Sequence, residues 1–143
     1  MKVHETLAAV DLFAGMPQQV LDELVARGST RKVGPGTVLV QQGNTDSGLH
    51  LILEGSATVI VHGVERATLS EGQYFGEISL IDSAPRSAAV VAGPEGARVF
   101  GISPLAFGDV LDSHPEMVRP LLRALTARLR RIEAAHAAAA ASE

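Results

Sequence analysis

Gly72-Gln73-Tyr74-Phe75-Gly76-Glu77-Ile78-Ser79-Leu80-Ile81-Asp82-Ser83-Ala84-Pro85-Arg86-Ser87-Ala88-Ala89-Val90 is the stretch from which the rest of the chain is read. Its residues spell a glycine turn, a short apolar turn of helix beginning at Gly76, a second turn at Ala84-Pro85, and a β-branched strand leaving from Val90. A helix start offers unpaired backbone N–H groups to an anion, and a glycine there lets a ligand approach the backbone. Arg86 returns to the same place nine residues after Glu77, with a fork of donors suited to a phosphate. Ser87 adds a hydroxyl. Glu77 would repel a bare anion, so the ligand it suits also carries hydroxyl groups to donate. Phosphate together with a sugar hydroxyl means a nucleotide or a sugar phosphate.

Phe75-Gly76-Glu77-Ile78-Ser79-Leu80-Ile81 followed by Pro85-Arg86-Ser87-Ala88-Ala89-Val90 closely resembles the phosphate-binding cassette of cyclic nucleotide-binding domains. These are the sensor modules of catabolite-activator-type regulators, cyclic-nucleotide-dependent kinases and gated channels. The resemblance implies that Arg86 clamps the cyclic phosphate and that Glu77 accepts from the ribose 2′-hydroxyl. It implies further that the Gly76 backbone and Ser87 complete the cradle, with Phe75, Ile78, Ser79 and Ala88 around it. The ligand it implies is cAMP first and cGMP second. Ser87 does not choose between them, since relatives with Ala at that place tend towards cAMP and those with Thr towards cGMP, while Ser occurs in bacterial cAMP regulators.

Composition sets the outer bounds. The 143 residues are enough for one domain with a real core, and 46% of them are hydrophobic. No apolar run is long enough for a membrane span, and no leader pattern opens the chain, so cytosol is the expected compartment. There are no cysteines, hence no disulfides or thiolate metal sites, and the five histidines have no metal-ligand spacing. His50 falls inside a strand pattern and reads as a satisfied structural histidine. The net charge of −4 opposes a general affinity for nucleic acid. No nucleophile elbow, zinc-protease, Walker or paired-carboxylate pattern is present, so the chain does not read as an enzyme.

Before the cassette, Val3, Leu7, Val10 and Phe13 follow a helical spacing, and Pro17 opens a second helix from Gln18 to Arg27, stopped by Gly28. Short β-prone runs follow at Val33, Val38 to Val40, Leu49 to Leu53, Ala57 to Val61 and Ala67 to Leu69. Pro35-Gly36, Gly43-Asn44, Gly55-Ser56, His62-Gly63 and Glu71-Gly72 punctuate them as turns. Val90 to Ile102 reads as two more strands around Gly93-Pro94. The pattern is mainly β with flanking helices: an antiparallel β-roll, or jelly roll, holding the ligand in its mouth. Family members tend to place glycines where Gly36, Gly43, Gly55 and Gly72 stand, while Asn44 replaces an aspartate common there.

After Ile102 the chain turns helical. Ser103-Pro104 is an N-cap with Pro at the first helical position, and Ser113-His114-Pro115-Glu116 reads as a capping box for a longer helix. Val118, Leu122, Leu125, Leu129 and Ile132 are spaced 4-3-4-3, a heptad seam suited to a homodimer. Pro120 is expected to kink it, and its end to fray along the Ala137 to Ala141 run. Arg119, Arg123, Arg128, Arg130 and Arg131 make a basic stripe on this helix, most simply a solvated face. Arg128 and Arg131 are candidates to reach the purine, since guanidinium stacks well on it. In catabolite-activator-type relatives hydroxyl residues on this helix contact the base; the matching positions here are near Ile132 and Glu133, which carry none.

The expectation is one cyclic nucleotide-binding domain over residues 1–143. Residues 1–28 form its helical cap, 29–102 a roll with the cassette at 72–90, and 103–141 a hinge and a lid or dimer helix. It would sense its ligand for an effector protein not identifiable from the sequence. A transcription regulator of the same superfamily would need a helix-turn-helix, where this sequence runs into polyalanine, so no DNA binding is expected from it.

Overall fold

In a computed structural model, residues 3–43, 48–82 and 84–141 are described, and all that follows concerns them. Helix α1 (Val3–Ala8) and a 3₁₀ turn (Asp11–Phe13) replace the single helix expected at the start. Helix α2 (Gln18–Arg27) has the expected bounds. Gly28 caps its end as expected, with an extended backbone, and glycine is needed there because a Cβ would overlap the Phe100 ring.

Six strands form one antiparallel sheet: β1 (Ser29–Val33), β2 (Val38–Val40), β3 (Leu49–Val61), β4 (Val64–Ser70), β5 (Tyr74–Phe75) and β6 (Ala89–Ile102). The path runs β1-β6-β3-β4, with β2 joined to β6 and β5 to β3. This is the expected antiparallel roll with one correction. The runs on either side of Gly55, and those around Gly93-Pro94, are each one long strand rather than two. A shift of pairing register replaces each expected turn, between Gly55 and Ala57 against Ala97 and Ala92. The consequence is visible in the core. Ile52 faces the roll interior, and so do Ala57 and Val59, although strict alternation would have turned those two outward. In β6, Val90 and Ala92 face inward, then Ala97 and Val99. An odd number of extra residues flips the faces of a strand. Here β3 advances two positions from Ile52 to Glu54 against one on β6, β6 advances five from Ala97 to Ala92 against two on β3, and the shifts keep apolar side chains inside. His62-Gly63 is the expected tight turn, joining Val61 to its partner Val64. The turn expected at Gly43-Asn44 extends beyond the described residues.

The other face of β3, with Leu49, Leu51 and Leu53, packs with Phe100 and Ile102 against the helices. Leu7, Leu24, Phe107 and Val110 complete that second core, and Phe13 meets Phe107 at 5.8 Å between ring centres. Helix α4 (Pro104–Ser113) starts as expected, the Ser103 hydroxyl accepting from Ala106 N at 3.1 Å. The capping box does not form. The Ser113 hydroxyl donates back to the Asp109 carbonyl of α4, and a 3₁₀ turn (Pro115–Met117) leads instead into α5 (Val118–Ala141). Pro120 falls in the first turn of α5, where its missing N–H removes no intrahelical bond. No described helix is long and apolar enough to cross a membrane.

Candidate functional site

The link after β5 positions the site. Gly76 follows Phe75 with a φ of +86°, a left-handed conformation that side chains oppose. The helical turn therefore does not begin at Gly76. It is α3 (Ser79–Asp82), four residues long, with Ile81 N and Asp82 N donating to Ile78 O. So short a helix has almost no macrodipole. Gly76 matters by close approach: a Cβ here would overlap both terminal nitrogens of Arg86 and the Gly48 carbonyl.

Arg86 lies on the strand side of the same loop and is 8% exposed. One terminal nitrogen donates to Gly48 O, its plane lies 5.8 Å from the Phe75 ring centre, and its Nε is buried without a partner. Burial pulls its pKa below the ordinary arginine range, while Glu77 acts to hold it up. Glu77 is equally buried at 9% exposure. Its carboxylate takes a bond from Arg128 of α5, the tie between the cassette and the long helix. Gly76, Glu77, Ile78, Ser79, Arg86 and Ser87 surround a cavity of ≈ 260 Å³ together with Asp82, Ala84 and Pro85. A cation with unused donor capacity, a buried carboxylate and a glycine-cleared backbone thus share one hollow. That set suits an anion bearing hydroxyl groups.

Of the expected residues, Phe75 is not in that lining; it lies against the Arg86 guanidinium and stacks on the His50 ring at 4.9 Å. Ala88 is half-buried just before β6 and is not in the lining. On α5, Arg128 and Ile132 line a second hollow of ≈ 400 Å³ beside Glu77, with Tyr74, Asp11, Arg131 and Ala135. Arg131 pairs with Asp11 at 3.0 Å. Glu133 is exposed and takes no part in that lining. Sequence reasoning missed Tyr74, Asp11 and the Gly48 carbonyl; they reach the site through β3–β5 pairing and helix packing, which no local pattern signals. His50 departs from expectation too. Its Nδ1 is buried with no partner, and burial, then the charges of Arg86 and Arg31, push its pKa down to about 4. Among the described residues no cluster of three or more His, Cys, Asp or Glu could hold a metal ion.

The heptad residues divide. Leu125 packs on the helical core, beside Leu121 and Ala124 from outside the seam, while Val118, Leu122, Leu129 and Ile132 are 42–58% exposed.

The family described as "Cyclic nucleotide-binding domain" matches residues 30–114. The potassium/sodium hyperpolarization-activated cyclic nucleotide-gated channel 2 of Mus musculus is 29% identical over 129 residues, 90% of this chain. The chain spans 15% of that channel's length. The N-terminal domain of a transcriptional regulator from Streptomyces coelicolor has a similar structure, with a TM-score of 0.78 and 28% identity, covering 89% of this chain and 94% of that one. Thermus thermophilus catabolite activator protein follows at a TM-score of 0.70 and 27% identity, with 91% and 63% covered.

Proposed function

This chain belongs to the cyclic nucleotide-binding domain family, and from that premise we propose that it is a cAMP sensor that signals through its C-terminal helices. The observation that carries the ligand assignment is Arg86: a guanidinium 8% exposed, its Nε unpartnered, facing the same hollow as buried Glu77. A cyclic phosphate keeps one negative charge and loses hydration in such a place, so a fixed cation compensates it. In this assignment Arg86 holds the phosphate, Glu77 accepts from the ribose 2′-hydroxyl, and Gly76, Ile78, Ser79 and Ser87 complete the cradle. Phe75 braces Arg86, and Ala88 sets the following strand. The base lies towards Arg128, Arg131 and Ile132, whose hollow opens beside Glu77.

The signal follows from the Glu77–Arg128 tie. A ribose hydroxyl at Glu77 shares the carboxylate that holds Arg128 and alters that tie, so ligand and helix position are coupled. The ligand shifts the helix only by its difference in affinity for the two arrangements. The exposed stripe of Val118, Leu122, Leu129 and Ile132 is the surface that a homodimer partner or effector protein reads. The proposed compartment is the cytoplasm, with no direct part in DNA binding or catalysis. A second reading, favoured by the S. coelicolor relative being a regulator's N-terminal domain, makes residues 1–143 the sensing domain of a longer regulator. Calorimetry with cAMP, cGMP and 5′-AMP tests the ligand. cAMP is expected to bind most tightly; equal binding of 5′-AMP removes the cyclic phosphate from the proposal, and tighter cGMP binding reverses the choice of base.

A further inference from the structure

A third hollow, of ≈ 340 Å³, lies at the end of the roll where β6 meets α4. Its floor is a row across three strands: Ser29 on β1 pairs with Gly101 on β6, which pairs with His50 on β3. Gly101 puts no side chain between Ser29 and His50, and that gap is the opening. Arg31 projects from the next position on the same face of β1, and Ser103 and Gly48 close the sides. None of the described lining residues is an aspartate or glutamate. The Arg31 side chain has no hydrogen bond or ion pair among the described residues, its backbone alone being paired with β6, and Ser103 accepts from Ala106 N, so its hydroxyl proton is free to donate. Gly48 is also the residue whose carbonyl Arg86 engages, so a second cation lies within one residue of the lining.

Positive charge with no acidic lining among the described residues, hydroxyl donors and an imidazole around one concavity select for anions. We propose that this hollow is a binding site for a small oxyanion, a phosphate or carboxylate group, held by Arg31 with Ser29, Ser103 and the His50 ring, and separate from the cassette at Arg86. Arg31 supplies the forked contact and the hydroxyls fix orientation. Because Ser103 caps α4 and the Gly48 carbonyl meets Arg86, the site touches both the hinge and the cassette.

The test needs no assumption about the cassette's ligand. Orthophosphate and acetate are titrated separately into the protein at fixed pH and ionic strength, with chloride as the matched control. The readouts are melting temperature and the ring ¹H–¹⁵N signals of His50, assigned with His50→Gln. Orthophosphate, acetate or both should raise the melting temperature and move the His50 signals in wild type and in Arg86→Gln. Arg31→Gln should weaken the affinity at least tenfold, and Arg31→Lys, which keeps the charge without the fork, should lie between. No effect of either anion beyond that of chloride overturns the proposal. So does an effect kept in Arg31→Gln and lost in Arg86→Gln, which would place the anion in the cassette.

Discussion

Removing the Arg86 guanidinium should separate ligand binding from folding, because the structure makes it an underused member of the core. The fold gains from it one bond to Gly48 O, a contact with the Phe75 ring and the attraction of Glu77, which Arg128 also neutralises. It bears the desolvation of a cation whose Nε finds no partner. A lost hydrogen bond costs about 1 kcal/mol, and relief of the orphaned nitrogen offsets a similar amount, so Arg86→Ala should unfold at nearly the wild-type midpoint. The ligand has no such compensation. Four-residue α3 cannot replace the charge with a macrodipole, and Arg128 is engaged with Glu77. Truncating one partner of a buried, hydrogen-bonded charge pair costs roughly 2–5 kcal/mol, and about 1.4 kcal/mol is tenfold in affinity. Arg86→Ala should therefore weaken cAMP by about one and a half to three and a half decades, and Arg86→Lys should regain only part of that loss. Calorimetry and thermal shift measure the two sides together, since bound ligand raises the melting point by mass action. An Arg86→Ala protein that melts like wild type and keeps the full cAMP shift would refute the argument.

Three further outcomes follow from the geometry. Gly76→Ala should lose about 1–2 kcal/mol from its left-handed backbone alone, and more from its overlap with Arg86; urea melts measure this, and an unchanged midpoint would contradict the cassette geometry. Leu122→Glu with Leu129→Glu should abolish a concentration-dependent dimer while sparing the fold, since both side chains are exposed and Leu125 is not; sedimentation showing wild type as a monomer at high concentration, with and without cAMP, removes the dimer. Stability against pH should peak near the ordinary histidine pKa. His50 is neutral in the fold with its pKa lowered to about 4, so its contribution is full above 6.5 and is lost as pH falls towards 4, roughly 3 kcal/mol in all. His114 runs the other way: its two ring nitrogens face Glu23 of α2 at 2.9 Å and Glu116 at 3.2 Å, which raises its pKa. Its contribution is present below 6.5 and is lost as pH rises through the folded value. His50→Gln should flatten the acid limb of urea midpoints and His114→Asn the alkaline limb; mutants that leave both limbs unchanged would show that other groups set the profile.

The parts of the fold that were legible in the sequence are those decided within a few residues. Gln18 to Arg27, the Ser103-Pro104 start of α4 and the His62-Gly63 turn each depend on local backbone preference or capping. The order of residues from Phe75 to Val90 carried the resemblance to the family because its glycine, glutamate and arginine stand close together in the chain. The misread parts depend on what arrives from elsewhere. Gly55 looks the same in a sequence whether it turns a hairpin or sits beside a register shift; pairing with Gly96-Ala97 on β6 decides. Ser113 and Glu116 have capping-box spacing, but the Ser113 hydroxyl is taken by the Asp109 carbonyl and the Glu116 carboxylate faces His114, so the box does not close. The heptad spacing was legible as well, yet period alone cannot say which flank meets the core. Leu121, one residue before the exposed Leu122, is the side chain that packs.

Glu77 shows why such tertiary information matters for function. From sequence alone its carboxylate belonged to the ligand, a single-purpose acceptor. In the fold it has a prior partner, Arg128, fifty-one residues away on α5. A buried carboxylate without a counter-charge is costly, and the fold satisfies Glu77 with Arg128 of the helix. A ribose hydroxyl is neutral and cannot replace that charge, whereas it can share the carboxylate's remaining lone pairs. On the proposed mechanism the ligand therefore tunes the Glu77–Arg128 tie rather than displacing it outright, and the phosphate at Arg86 supplies most of the affinity. Arg128→Gln separates the two contributions. It should leave the phosphate contact intact and lower cAMP affinity far less than Arg86→Ala does, while abolishing any ligand-dependent change in α5, read by amide hydrogen exchange along 118–141. A ligand-induced exchange difference that survives Arg128→Gln would mean that α5 is moved through its Leu121 and Leu125 packing instead.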